Sequence, residues 1–134
     1  MQLIQDDTIA IITIFQEAEG ESYAGKLAVA EVIFRRTYMR YASDGTVVDT
    51  CLRPYQFSGW SSSAPNRVRS LRINFCDPVV LDCAKAWTEA KSGTSTANKA
   101  LLYHATNIQP PDWAAPDKAI CVATIGKHKF YVPR

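Results

Sequence analysis

From Thr8 the chain reads TIAIITIF, and Ile9, Ile12 and Phe15 fall on one strip at helical spacing, with Ile11 and Ile14 widening it. So broad an apolar strip predicts a buried helix. Asp6 or Asp7 is expected to cap its start, because a carboxylate suits both first-turn amides and the positive helix end. Gly20 is expected to stop it, since glycine readily takes the left-handed conformation that closes helices. A second helix is predicted over about 24–41, with Leu27, Ala30, Ile33 and Phe34 inward and Arg35, Arg36 and Arg40 near its C-terminal end, where cations are favoured. The two form a tight hairpin. Between 43 and 75 the periodicity gives way to Gly, Ser, Pro, Asn and Arg, which predicts a long irregular connection, and such loops are usually functional or mobile. A third helix is predicted in DPVVLDCAKAWTEAKSG, with Asp77 as cap, Pro78 at its first position and Gly93 at its end. Strand patterns come last: ALLYH, then the proline-rich loop IQPPDWAAPD, then CVATIGKHKFYVP as two strands about a Gly126-Lys127 turn. The expected fold class is α+β, helices first and a small antiparallel sheet near the C-terminus.

Composition narrows the class. At 134 residues and 47% apolar, the chain suits one domain, 1–134, with a real core. A charged fraction of 21% argues against disorder, and no apolar run approaches the roughly 18 residues that a bilayer span needs. A soluble protein without stable membrane insertion is expected. MQLIQDD has no basic segment and IAIITIF no small-residue cleavage pattern, so no secretory signal is read. A net charge of +2 does not argue for nucleic acid, and none is expected as a partner. Arg67, Arg69 and Arg72, beside Asn66, read as a solvated loop, with weak attraction to an anionic surface as the sharper alternative. Cys51, Cys76, Cys83 and Cys121 lack C-x-x-C spacing, and with only His104 and His128 they make a poor metal site. No metal or cofactor is expected, and the thiols read as buried and free.

Candidate chemistry concentrates in three places. In FQEAEGE, Glu17 follows directly on the apolar strip, where its carboxyl can be held at the edge of the core and its pKa raised toward the range of a general acid. Glu19 reads as a solvated surface acid, and Glu21 as a cap for the second helix through amides near Ser22 to Gly25. In PYQFSGW, Tyr55, Gln56, Ser58 and Trp60 offer aromatic faces and neutral hydrogen-bonding groups suited to sugar rings, while Phe57 reads as an anchor. The whole stretch can equally be an apolar pin for a long loop. YHATN and PPDW add Tyr103, His104, Asn107 and Trp113, with His104 readable as a hydrogen-bonded structural residue.

Taken together, EAEGESYAGKLAVAEVIFRR, QFSGW, YHATN-IQPPDWA and TIGKHKFY resemble the cell-wall hydrolase family that includes the spore-cortex-lytic enzyme SleB, whose usual forms read EARGEPYxGQxAVAxVxLNR, QFSxW and IGxHxFY. The order is the same, over about residues 6–132. The resemblance implies a lysozyme-like α+β fold and cleavage of peptidoglycan glycan strands between N-acetylmuramic acid and N-acetylglucosamine, with Glu17 as the catalytic acid. In members that act as lytic transglycosylases one carboxyl group makes both proton transfers and leaves 1,6-anhydro ends. Tyr55, Gln56, Ser58, Trp60, Tyr103, His104, Asn107, Trp113 and Tyr131 would position sugars, and His128 and Gly126 would fix the hairpin. Glu19 stands where the family has Arg, Ser22 where it has Pro and Arg35 where it has Asn, and the segment 61–74 is longer and more basic than the family's. Glu19, or an aspartate such as Asp49, would be the second carboxylate if the enzyme were instead a hydrolytic muramidase. An amidase of the zinc type and a glycan-binding module without turnover are the more distant readings. The YHA form resembles domains from proteobacteria and their phages. It implies a monomeric phage endolysin that waits in the host cytoplasm for a separate holin and then acts on periplasmic peptidoglycan.

Overall fold

The computed structural model describes residues 2–65 and 67–134; Asn66, read above with the basic segment, lies outside them. Helix α1 runs Gln2–Ala18 and so begins well before Thr8. QLIQDD holds no glycine or proline to stop a helix, so Asp6 and Asp7 lie inside it rather than at its cap. Asp7 instead ties α1 to a later helix, its carboxylate accepting from Trp87 Nε1 at 2.8 Å and Lys91 Nζ at 2.9 Å. Gly20 follows the end of α1 without taking the left-handed conformation.

Helix α2, Tyr23–Met39, is capped by Ser22, whose hydroxyl accepts from the Gly25 amide at 3.3 Å. Glu21 is therefore not the cap. Its carboxylate reaches across the molecule and accepts from the Lys127 amide at 2.9 Å. Ala28, Val29, Ala30, Val32 and Ile33 are fully buried, which makes α2 the central helix, and Arg40 closes it in the left-handed conformation at φ 55°.

The connection from 43 to 75 holds more order than its composition predicts. Helix α3, Val47–Leu52, is capped by Thr46, a 3-10 turn spans Ser58–Trp60, and a single-turn helix α4 covers Arg67–Ser70. Its polar residues serve as caps and buried hydrogen-bond partners: fully buried Thr50 meets Thr37 at 2.8 Å and Ser43 at 2.6 Å. Helix α5, Pro78–Lys91, has Asp77 as its cap, with Asp77 Oδ1 accepting from the Val79 amide at 2.9 Å. Trp87 on α5 is 2% exposed and meets Phe34 of α2 edge-on at 6.2 Å, closing the core between α1, α2 and α5.

Strands β1 (Leu102–Ala105), β2 (Ala119–Ile125) and β3 (His128–Pro133) form an antiparallel sheet in the order β1-β3-β2. Phe130 of β3 enters the main core, while Tyr131 packs with Ala114 and Ala119 in a smaller cluster under the proline-rich loop. All four cysteines are free. Cys51 and Cys83 are buried as expected, and burial pushes both thiols up to about 12. Cys76 and Cys121 are exposed instead, one in the turn before α5 and one on edge strand β2.

The β2–β3 turn ties the sheet to the helices. Gly126 has φ 54°, and a Cβ there would overlap the Glu21 carboxylate that accepts from Lys127. Gly126→Ala is expected to cost about 1–3 kcal/mol, from backbone strain together with loss of this tie. Urea denaturation measures it, and an unshifted midpoint would refute the tie.

Candidate active site

The last turn of α1 is held by Phe15 and Ala18, both buried, and this sets Glu17 at the rim of the core. The residue is partly exposed, yet its carboxyl is ringed by protein. Oε1 accepts from the Tyr103 hydroxyl on β1, and the carboxylate also accepts from the Gly59 amide in the 3-10 turn. Burial raises the Glu17 pKa above the ordinary carboxylate range, against the two hydrogen bonds and the Arg36 charge, which favour the anion. The carboxyl can thus hold a proton that an exposed glutamate would have lost. Tyr103 is pushed well above its usual pKa by burial and by Glu17 beside it, so it remains an O–H donor.

Gly59 has a steric role as well. A Cβ there would lie 2.7 Å from Gln16 side-chain atoms, so only glycine lets PYQFSGW lie flat on α1 and turn its amide to Glu17. Phe57 is the anchor expected of it, 4% exposed. Trp60 braces the same loop by donating from Nε1 to Thr13 Oγ1 at 2.8 Å, while its ring edges a surface depression.

Arg36 is the residue that sequence reasoning missed. The sequence marks it only as a cation suited to a helix C-terminus, yet it is 4% exposed. Nε donates to the Leu101 carbonyl at 2.6 Å, Nη1 to Gln56 Oε1 at 3.2 Å, and the guanidinium lies 5.0 Å from the Phe57 ring centre. Its place in the inward register of α2, at i+3 from Ile33, was the available signal.

Two adjoining depressions flank this constellation. One of about 320 Å³ is lined by Arg36, Tyr41, Tyr55, Gln56, Tyr103 and Trp113. The other, about 440 Å³, shares Tyr55 and adds Pro54, Phe57, Ser58 and Trp60. The structure therefore brings together Tyr55, Gln56, Ser58, Trp60, Tyr103 and Trp113 of the expected sugar contacts. Tyr55 stands fully exposed between the depressions at φ 68°, a conformation that costs a non-glycine residue about 1–3 kcal/mol.

The other expected contacts lie elsewhere. His104 is buried: Nδ1 donates to the Ala105 carbonyl at 2.8 Å, which leaves Nε2 to accept from the Tyr131 hydroxyl at 2.9 Å. Their rings stack at 5.2 Å, and Trp113 meets both edge-on, so the pair braces Trp113 from behind. Asn107 is exposed in the turn after β1 and lines neither depression. Glu19 is paired with Arg69 on α4, at the edge of a separate groove with Phe15 and Arg72. His128 sits 3.6 Å from Glu21 and edge-on to Tyr103 at 5.0 Å, and burial lowers its pKa despite Glu21.

A helical core and small sheet that set one desolvated glutamate beside a groove of tyrosine, tryptophan and amide groups define the lysozyme-like class of fold. The cell wall hydrolase family matches residues 20–131, and the chain belongs to that family. Membership makes it an enzyme that degrades the peptidoglycan of cell walls. The catalytic domain of the Bacillus cereus SleB protein is similar in fold at 23% identity, with a TM-score of 0.74 over 96% of this chain and 91% of that one. The catalytic domain of the germination-specific lytic transglycosylase SleB from Bacillus anthracis is similar at 25% identity, TM-score 0.70, over 95% and 93%. No curated protein matches the chain. The family match begins at Gly20, just beyond Glu17, so the case for Glu17 rests on its motif and surroundings.

Removing the Tyr103 hydroxyl takes away a bond that favours the Glu17 carboxylate and so raises its pKa further. Because a general acid works protonated, Tyr103→Phe is expected to shift the alkaline limb of the pH–rate profile upward and to lower kcat about tenfold or more. Turbidity assays on sacculi across pH check this, and a downward shift would contradict it.

Proposed function

We propose that this enzyme is a lytic transglycosylase that cleaves the N-acetylmuramic acid to N-acetylglucosamine bond of peptidoglycan glycan strands, with Glu17 as its one acid and base. What supports the reading is the place of Glu17 and the lack of an acidic rival: Glu17 is bonded to Tyr103 and to the Gly59 amide at the border of the two depressions, and among the described residues no carboxylate lines either of them. The two candidates for a hydrolytic partner are engaged elsewhere. Glu19 is bound by Arg69, and Asp49 accepts from Arg53 at 2.6 Å and from the Asp44 amide at 2.8 Å.

In this mechanism protonated Glu17 donates to the glycosidic oxygen while the bond to the muramic C1 breaks, leaving an oxocarbenium-like sugar. The muramic C6 hydroxyl attacks C1, and its proton passes to the Glu17 carboxylate. The 1,6-anhydro ring closes, the acid is regenerated and no water is consumed. Arg36 and the Gly59 amide stabilise the carboxylate between the two transfers, and Tyr103 keeps it oriented. Tyr55, Trp60 and Trp113 supply faces for the sugars, with Gln56 and Ser58 for their hydroxyls. Burial raises the Glu17 pKa and so favours the loaded acid, while the hydrogen bonds from Tyr103 and Gly59 favour the carboxylate that acts as the base.

Mass spectrometry of the muropeptides decides the outcome: anhydro ends are expected, and reducing ends alone would make the enzyme a muramidase. Glu17→Gln is expected to lower turnover by about 10²–10⁴-fold with the fold intact. Undiminished lysis by that variant would remove Glu17 from the mechanism.

The proposal extends to biology: a monomeric phage endolysin, held in the cytoplasm of a Gram-negative host until a separate holin admits it to the periplasm. Its support is the Tyr103-His104-Ala105 block, which resembles versions of the domain from proteobacteria and their phages. Expressed in such a host, the chain is expected to lyse cells only when a holin is co-expressed. Lysis without one would count against this route.

A further inference from the structure

A smaller pocket of about 110 Å³ opens between α2, the end of α5 and the segment 93–100. Its lining combines buried Ala90, Ala97 and Ala100 and half-buried Phe34 with buried Glu31, half-buried Arg35 and exposed Tyr38 and Lys99. Arg35 Nε is buried, and the guanidinium makes no hydrogen bond or ion pair among the described residues. A buried donor left unpaired is costly, and an acceptor brought to Nε would offset that cost.

Glu31 does not fill that role. It lines the pocket, but its carboxylate is taken by Thr94 Oγ1 at 2.5 Å, the Thr96 amide at 2.9 Å and the Ala97 amide at 2.8 Å. The charges facing the pocket are thus two cations and one anion that is already solvated by protein. Lys99 is held there by backbone in an unfavoured conformation, with φ 51° at Asn98 and 65° at Lys99, and the Asn98 side chain fastens the segment to the Val122 carbonyl at 2.8 Å.

The pocket and the depression lined by Arg36 are built from neighbouring positions of the chain. Arg35 faces one and Arg36 the other, about 100° apart on α2, and the pairs Tyr38 and Tyr41, Ala100 and Leu102 divide in the same way. A branch leaving a glycan in the depression lined by Arg36 would therefore run past the part of α2 that also lines the pocket. The peptide stem of peptidoglycan is such a branch, and it carries free carboxylates on aliphatic side chains. We propose that the pocket binds a stem-peptide carboxylate, its methylenes against the alanines and its oxygens on Arg35 and Lys99; the choice of ligand rests on the glycan-cleaving function proposed above.

The test is a chemical-shift titration with the free tripeptide L-Ala-γ-D-Glu-meso-diaminopimelate and with its fully amidated form. The acid form is expected to bind and the amide form to bind at least about tenfold more weakly. Arg35→Gln is expected to weaken the acid form about tenfold and Lys99→Gln several-fold, whereas Arg35→Lys recovers part of the loss and Arg72→Gln, an equal charge removed elsewhere, has no effect. Absent binding, indifference to amidation, or equal losses in Arg35→Gln and Arg72→Gln would each overturn the assignment. A second arm compares kcat/KM on chains with and without stems, and the ratio is expected to fall in Arg35→Gln. Should the wild-type protein cleave neither chain, the proposed function fails while the titration still decides the pocket.

Discussion

The hydroxyl of Tyr103 on the Glu17 carboxyl is the contact through which the two halves of the molecule make one site. It joins the last turn of α1 to the first strand of the sheet; burial raises the pKa of both groups, the bond favouring the Glu17 carboxylate and keeping the proton on Tyr103. Everything around it keeps that pair in register. Phe130 sits behind Tyr103 at 5.5 Å, Phe57 lies beside it at 6.5 Å, and the Glu21 carboxylate holds the β2–β3 turn against the start of α2. A shift of the sheet by one residue would carry Tyr103 to the opposite face and leave Glu17 without its donor.

Three acids within five positions have three different fates, set by what each meets rather than by where each stands. Glu17 is drawn into the protein and its proton affinity rises. Glu21 becomes a tie between turns distant in sequence, and it demands glycine at 126. Glu19 finds Arg69, a solvent-exposed pair of the kind that contributes little to stability, and together with Gln16 donating to buried Ser70 it docks α4 on the end of α1. The basic segment therefore has a structural part to play: Arg69 also lies over the Phe15 ring at 5.2 Å, and so covers the helix end that presents Glu17.

How much of this was legible follows from how local each signal is. The core strips of α1 and α2, the Asp77-Pro78 start of α5 and the Gly126-Lys127 turn are written in neighbouring residues, and a periodicity or a dipeptide suffices to read them. Glu17 was legible too, because a glutamate following an apolar strip is placed by the helix itself. Arg36 was not, since arginine on a helix is ordinarily solvated and only Leu101, Gln56 and Phe57, far away in sequence, explain its burial. The role of Asp7 was hidden for the same reason, since it is engaged by Trp87 and Lys91 rather than as a cap. Composition misled over 43–75, because Thr46, Thr50 and Ser43 look like loop residues and serve as a cap and its buried partners.

The adjacent arginines show what a central helix can do that a peripheral one cannot. Buried on almost every side through its first turns, α2 emerges only near its end, and there successive residues face different neighbours. Arg36 is fully engaged by a carbonyl, an amide and an aromatic face, so its charge is fixed in direction and serves the carboxylate nearby. Arg35, one step around the helix, has the same charge and no such partners. Identical side chains thus differ in kind. One is a finished part of the protein, pre-organised before substrate arrives, and the other is a donor whose cost of burial is offset only when an acceptor is brought to it. A helix that ends between a cleft and a pocket can hold a polymer at two points, and the spacing between them is set by the helix rather than by any loop.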